Sequence, residues 1–597
     1  MRTPSLGVAL ALSTVGALLL AQVPESGTRG DVETLASERL GGREAGSAGE
    51  RLAGDYLAAQ LARLGARPLP GRADMFHAFE FTAGSRDAGS TLRVGSRDFS
   101  APENVLALSF SDDATVSGQA VFAGYGIVVP ESQSFGYDSY AALDVQDKVV
   151  VVLRYYPEDA DRETRAILAR YSDPRYKALA ARQRGARALL VITGPRSPNA
   201  GTVVPMTFDT ALAGSGIPAA SVSGTVAAAL FSGRRSLDVV QSELDSGNPH
   251  VAGFDLDGVT VQLGTAVVRE QRTGRNIVAY LPATEPHPSD KPWVVVGAHY
   301  DHLGLGRNGN SLATGEDVGR AHVGADDNAS GTAAVLAVAR ALAAEPIRRR
   351  HLLIGFWSGE EIGLIGSKAM LDAGLVAPAQ MLAYLNFDMV GRMADNRLAA
   401  QATGTSPVWA SLLERANVVA GFDLSLQPDP YQPTDVSNFN QAEVPSLNFT
   451  TGAHLDYHKP SDTADKIGYE DLDRIAGFAA NITARLMALD DAPVFTKVEQ
   501  SSQNMSRTGI RVFTGTVPDY TSNAKGLLLS GVIGGGPAEA AGLRKDDLIV
   551  EIAGQSITNI YDYTYALELL RVGEPVAIVF LRDGARHEAS LTPGARR

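Results

Sequence analysis

Five short stretches of the chain bring together residue types that bind hard metal ions. Val323 to Gly331 reads V-G-A-D-D-N-A-S-G and sets two aspartates side by side in an expected loop. Gly297 to His302, Ser358 to Glu361, Asn386 to Met389 and Asp456 to His458 each offer a histidine or carboxylate at an expected strand end or loop. None of the 597 residues is cysteine, which excludes thiolate ligands, disulfides and a cysteine nucleophile. A metal site here has to be built from His, Asp and Glu, a donor set that suits zinc or a similar first-row ion. Together the five stretches read as a two-metal hydrolase site around the paired aspartates.

Each member also has an ordinary reading, as a structural histidine or a solvated acidic loop, and it is the set that carries weight. His299 and Asp301 stand two apart after an apolar strand, so continued strand geometry points them the same way. One can bind metal while the other fixes its imidazole, and a carboxylate on the remote ring nitrogen sets the tautomer, which suits Asp301. Glu360 and Glu361 diverge as neighbours, so one carboxylate can bind metal while the other faces water. Asp388 follows the run Leu385 to Phe387, where an inward carboxylate needs a partner. His458 lies in D-Y-H-K-P-S-D-T and says little alone.

These residues need elements to hold them. Trp293 to Ala298, His351 to Trp357, Met381 to Asp388 and Pro445 to Phe449 read as buried strands, and Ser330 to Ala344 as a helix. That alternation predicts an α/β domain with a mostly parallel mixed sheet covered by helices on both faces, its site at the carboxyl ends of the strands. Upstream, Ala48 to Leu64 is expected to be a helix packing through Leu52, Tyr56, Leu61 and Leu64. From about Ser100 to Val261 the runs Gly118 to Val129, Lys148 to Tyr155, Ala188 to Thr193 and Ile217 to Val222 read as strands, with a helix at Lys177 to Arg187. This β-rich module holds few clustered histidines or acids and suits a lid or spacer. After a linker at 490–506, Gly526 to Val532, Leu548 to Ile552 and Pro575 to Arg582 read as strands and Tyr561 to Leu570 as a helix.

Length implies three or four domains. The formal net charge of -14 argues against nucleic acid or an anionic membrane surface as a partner. Arg2 and the apolar run Leu6 to Ala21 fit a secretory signal peptide over 1–21, which predicts a secreted or periplasmic protein with no membrane association after cleavage.

Taken in order, GAHYDH, GADDNASG, SGEEIGLIGS, NFDMVG and DYHKPSDT resemble the motifs of the co-catalytic zinc aminopeptidase family, which includes glutamate carboxypeptidases and glutaminyl cyclases. The resemblance implies two zinc ions bridged by Asp327, with His299 and Asp388 completing one ion's protein ligands and Glu361 and His458 the other's. It implies Glu360 as general base and Tyr457 as the oxyanion-stabilising group, while Asp326 receives no role. Two cations about 3.5–4 Å apart make hydroxide available near neutral pH and polarise the scissile carbonyl. One departure is Val436, where many relatives have histidine after the aspartate, so Asp435 is given no catalytic role. For His302 and His322 the structural reading is preferred.

The activity implied first is removal of N-terminal residues from peptides by a secreted metalloaminopeptidase. A carboxypeptidase or dipeptidase uses the same metal core, a glutaminyl cyclase keeps one zinc, and a binding protein loses ligands that are all present here. Two flanking modules have resemblances of their own. The middle module looks like a protease-associated (PA) domain, and Gly536 to Ile557 resembles a bacterial-type PDZ domain that would accept a peptide or a protein C-terminus, with Arg507 to Ile510 as its carboxylate-binding loop. The expected divisions are 30–100 for the first part of the peptidase, 101–261 for the PA-like insert, 262–489 for the zinc peptidase and 507–594 for a small α+β PDZ-like domain.

Overall fold

The structure is a computed structural model that describes residues 27–595 except 130–134, 170, 207–215, 248–252, 286–290, 309, 314, 499–511, 520–523, 558–561, 564–565 and 568–569. The signal peptide, the carboxylate-binding loop Arg507 to Ile510, the end of the linker and much of the helix expected at Tyr561 to Leu570 therefore lie outside the described residues.

The sheet that holds the motifs has nine strands. In spatial order it runs Arg67–Pro68, Val267–Leu281, Leu352–Trp357, Trp293–His299, Met381–Phe387, Ser446–Thr450, Arg397–Gln401 and Asp423–Leu426, with Phe76–Asp87 also paired to Val267–Leu281. Its four central strands, Leu352–Trp357 to Ser446–Thr450, are mutually parallel, and antiparallel pairs flank them. This is the mixed α/β sheet that the alternation predicts, with its central run parallel.

The central strands are apolar throughout because both faces are covered. Val294 and Val296 face one core with the helices Gly331–Ala344 and Tyr469–Ala488, while Val295 faces another with Leu353, Tyr384 and Phe439. Leu336 and Leu342 of the first helix are fully or almost fully buried, and truncating either to alanine removes about 2–5 kcal/mol.

The early helix spans Ala48–Arg63 and starts at Ser47, whose Oγ accepts from the Glu50 amide. Its buried face differs from the expected one. Ala53, Leu57 and Leu61 turn inward, and Leu52 is 43% exposed. The cause is Glu50, whose carboxylate is drawn inside to accept from the Arg275 amide (2.8 Å) and Ser358 Oγ (2.6 Å), rotating the inner stripe away from Leu52.

A buried row of side-chain hydrogen bonds links five strands or strand ends of this sheet, passing over Trp293–His299, which lies between the first two. Trp357 Nε1 donates to Tyr384 Oη (2.9 Å), Tyr384 Oη to Asn386 Oδ1 (2.6 Å), Asn386 Nδ2 to Asn448 Oδ1 (2.9 Å), Asn448 Nδ2 to Gln401 Oε1 (2.7 Å) and Gln401 Nε2 to Gln427 Oε1 (2.9 Å). The row lies just before the points where the chain leaves the sheet to form the motif loops.

A second sheet of eight strands contains the parallel run Thr115–Phe122, Val149–Leu153, Ala188–Ile192 and Ala219–Val222. It also takes in Thr91–Val94 and Arg97–Ser100, which precede residue 101. A third sheet is antiparallel and includes Leu527–Val532, Leu548–Ile552, Val576–Arg582 and Ala585–Leu591, over a core with Leu529, Ile549 and Ile578. Among the described residues no helix is long and apolar enough to cross a membrane.

Candidate active site

The motif residues converge because four parallel strands end at one rim. Trp293–His299 carries His299 as its last residue, Leu352–Trp357 leads into Glu360 and Glu361, Met381–Phe387 delivers Asp388, and Ser446–Thr450 leads to the loop with Tyr457 and His458. Asp327 comes from the loop before the helix Gly331–Ala344. That loop opens at Gly324, whose positive φ of 54° suits glycine.

The distances divide the donors around Asp327. Its Oδ1 is 3.3 Å from His299 Nε2, which is also 3.4 Å from Asp388 Oδ1. Its Oδ2 is 3.3 Å from His458 Nε2, which is also 3.1 Å from Glu361 Oε2. Sets of three donor atoms within 4.8 Å of one another are His299–Asp327–Glu361 and His299–Glu360–Asp388. These sets group the residues differently from the family-based assignment, since Glu360 falls within reach of His299 at 4.0 Å. Each histidine's nearest carboxylates nonetheless follow the division by the two Asp327 oxygens.

Outer contacts set the imidazoles. His458 Nδ1 lies 2.7 Å from the Asn310 carbonyl and donates to it, so Nε2 is the nitrogen that faces Asp327 and would coordinate a cation. His299 Nδ1 lies 3.2 Å from the backbone carbonyl of Asp301 and 3.7 Å from its carboxylate, so the main-chain oxygen is the nearer partner. Asp301 Oδ1 instead accepts from the Glu360 amide at 3.2 Å and so fixes the neighbouring loop. The Tyr457 ring stacks on that of His458, with centroids 3.8 Å apart.

The electrostatics ask for added positive charge. Burial, together with Asp388 and Glu361, pushes the Glu360 carboxyl well above its ordinary value despite the opposing pull of His299. Burial also raises Asp388. Asp327 and Glu361 are buried too, yet histidines hold both down: His299, His302 and His458 keep Asp327 well below the ordinary value, and His458 and His302 bring Glu361 to about 2. Four carboxylates so placed, with nitrogen donors between them, fit divalent cations of the zinc type, because an unpaired buried charge costs several kcal/mol, roughly.

Several residues without an assigned role prove to be part of the site. Asp462 Oδ2 accepts from the amides of Asp326 (2.9 Å) and Asp327 (3.1 Å), and it lies within the DYHKPSDT motif that signals the region. Asp326 ties the loops together, its Oδ1 accepting from the Gly391 amide (2.6 Å) and its Oδ2 lying 3.1 Å from His454 Nε2. The Arg43 guanidinium, fully enclosed, donates to the carbonyls of Leu35, Tyr300, Val323 and Gly324, and burial lowers its pKa to about 10. Asp435 is buried and bonded to Ser367, and burial raises it to about 7. His322 bonds Ser311 and the Arg320 carbonyl, a structural role, whereas His302 reaches Glu361.

Residues 276–483 match Peptidase family M28 and residues 529–582 match the PDZ domain, so the chain carries both modules. Leupeptin-inactivating enzyme 1 of Streptomyces exfoliatus is 28% identical over 237 residues, covering 39% of this chain and 46% of that protein. Aminopeptidase YwaD of Bacillus subtilis is 28% identical over 277 residues, covering 42% and 55%. The chain thus spans about half the length of the curated relatives it matches. Among solved structures, an aminopeptidase from Aneurinibacillus sp. strain AM-1 aligns over 80% of this chain and 95% of its own at 20% identity, with a TM-score of 0.48.

Proposed function

We propose that the protein is a secreted or periplasmic metalloaminopeptidase that holds two zinc ions and removes N-terminal residues from peptides. The observation that carries the proposal is the split of Asp327, one oxygen 3.3 Å from His299 and the other 3.3 Å from His458. The match to Peptidase family M28 and the likeness to a protein named an aminopeptidase support the reaction class. The apolar run Leu6 to Ala21 supports the location.

His299 and Asp388 would hold one ion, Glu361 and His458 the other, and Asp327 both. Bound there, zinc supplies Lewis acidity, lowering the pKa of water and polarising a carbonyl. The chain supplies the rest. Glu360 takes the proton from the attacking water and returns it to the departing amine as the C–N bond breaks, so the proton count closes over one turnover. Its burial beside Asp388 and Glu361 raises its proton affinity, which strengthens it as the acceptor of the water's proton. Tyr457 is the group for the developing oxyanion, and its stacking on His458 limits its movement. The PDZ domain would receive an extended peptide or a protein C-terminus.

The test combines metal removal with a substrate panel. Chelation should abolish release of amino acids from peptides with a free N-terminus, and zinc should restore it. Full activity of the metal-free protein would overturn the proposal. Hydrolysis only of N-blocked acidic dipeptides would make the protein a carboxypeptidase, and one zinc per chain with cyclase turnover would make it a glutaminyl cyclase.

A further inference from the structure

His302 is buried, 2% exposed, and touches both loops that flank the second donor set. Its Nδ1 lies 2.6 Å from Glu361 Oε1. A carboxylate oxygen offers only lone pairs, so Nδ1 carries the proton and donates. The other Glu361 oxygen, Oε2, is the one that meets His458 Nε2 at 3.1 Å. The carboxylate therefore has one oxygen engaged from behind and one turned toward the donors of Asp327 and His458.

The ring itself is held in place. A Cβ added at Gly324 would come 2.5 Å from its Cδ2 and 2.6 Å from its Cγ, so the imidazole packs flat against the backbone where the Asp327 loop begins. The His302 amide donates to the Arg43 carbonyl at 3.2 Å. Its Nε2 is buried, has no hydrogen-bond partner in the structure, and belongs to a side chain lining a small cavity with Glu44, Arg272, Asn308 and Asn310. The ring thus rests on one ligand-bearing loop and bonds a ligand on the other.

We propose that His302 is a positioning residue for the ion held by Glu361 and His458: by donating Nδ1–H to Oε1 it leaves Oε2 as the single oxygen of Glu361 offered to that ion. The inference rests on the two-zinc reading. A free carboxylate could rotate and present either oxygen or both. The bond fixes one orientation, and loss of such an outer partner weakens metal binding by roughly 10- to 100-fold.

The test uses the full chain and reads zinc itself by titration against a chromophoric chelator. In His302→Leu the first zinc should bind as in the unaltered protein and the second about 10- to 100-fold more weakly. His302→Asn, whose side-chain amide can reproduce the Nδ1–H donor, should recover most of the loss. Both variants remove the ring from Gly324, so the difference between them reads the hydrogen bond and not the packing. Equal second-zinc affinity in His302→Leu and the unaltered protein would overturn the role, as would a His302→Asn variant no better than His302→Leu. If His302→Leu does not fold, His302→Phe, which also lacks the donor, takes its place against His302→Asn with the same two outcomes. An unaltered protein that binds no zinc, or only one, would instead overturn the two-zinc reading.

Discussion

Two sheets in this chain bring parallel strands to a common rim and fill it in opposite ways. In the nine-stranded sheet the rim collects the carboxylates of Asp327, Glu360, Glu361 and Asp388 around His299 and His458. In the eight-stranded sheet the strand Val149–Leu153 ends beneath Lys177, a fully buried residue whose Nζ donates to the carbonyls of Leu153 (2.8 Å) and Tyr155 (2.6 Å). The second rim is capped by the Lys177 amino group and closes on itself. The first is left with an excess of buried negative charge, and among the described residues it is where groups of three or more potential metal donors occur. Parallel architecture supplies the converging ends, and the residues just past each strand decide whether the end is a plug or a site.

The largest effect that should separate the two rims is at Glu360. Glu360→Gln keeps the shape and removes the proton acceptor, so kcat should fall by roughly 10² to 10⁴ with zinc content unchanged. Unchanged kcat would remove Glu360 from the chemistry and leave the two rims less distinct.

Asp462→Asn should act more gently. It weakens the charged acceptor for the Asp326 and Asp327 amides, and zinc affinity should drop about 10-fold, at most about 100-fold, in a competition titration. An affinity equal to that of the unaltered protein would show that the loop holds its ligand without this support.

The smallest effect belongs to the closed rim. Burial lowers the Lys177 pKa well below its ordinary 10.5. Between the folded and unfolded values the unfolded chain holds a proton that the folded chain lacks, so stability rises with pH through that window and is lost as pH falls through the folded value. Lys177→Met removes this slope. The melting temperature of the unaltered protein relative to Lys177→Met should rise as pH approaches 10.5, with zinc content unaffected. A flat difference would mean that Lys177 does not titrate with folding, and altered zinc content would couple the two rims.

The strands and the motif order were legible because each strand near the site is a short apolar run ending in a chemically conspicuous residue, as V-V-V-G-A-H does at His299. The inward face of the helix Ala48–Arg63 was not, because Glu50 counts as polar in any periodic pattern, and only its partners Arg275 and Ser358, distant in sequence, explain its burial. The same limit hid Arg43, whose four carbonyl acceptors come from three separate segments. His302 was visible as a residue type, but its bond to Glu361 spans 59 positions and no spacing rule reports it. The pairing of His299 with the Asp301 main chain in preference to its carboxylate depends on backbone direction, which residue type does not encode.

The hydrogen-bonded row from Trp357 to Gln427 has a direction, and the indole sets it. An indole N–H can only donate, so Tyr384 must accept there and pass its own proton to Asn386, which forces the amide orientations of Asn386, Asn448 and Gln401 in turn. One residue at one end thereby dictates which way up three amides sit across neighbouring strands. Such a row can be edited only in concert: a lone replacement leaves two buried groups facing like with like, so tolerated sequence variation here should come as linked pairs. The linkage joins Trp357, three residues before Glu360, to Asn386, two before Asp388, and makes the spacing between those two loops a property inherited from the grain of the sheet.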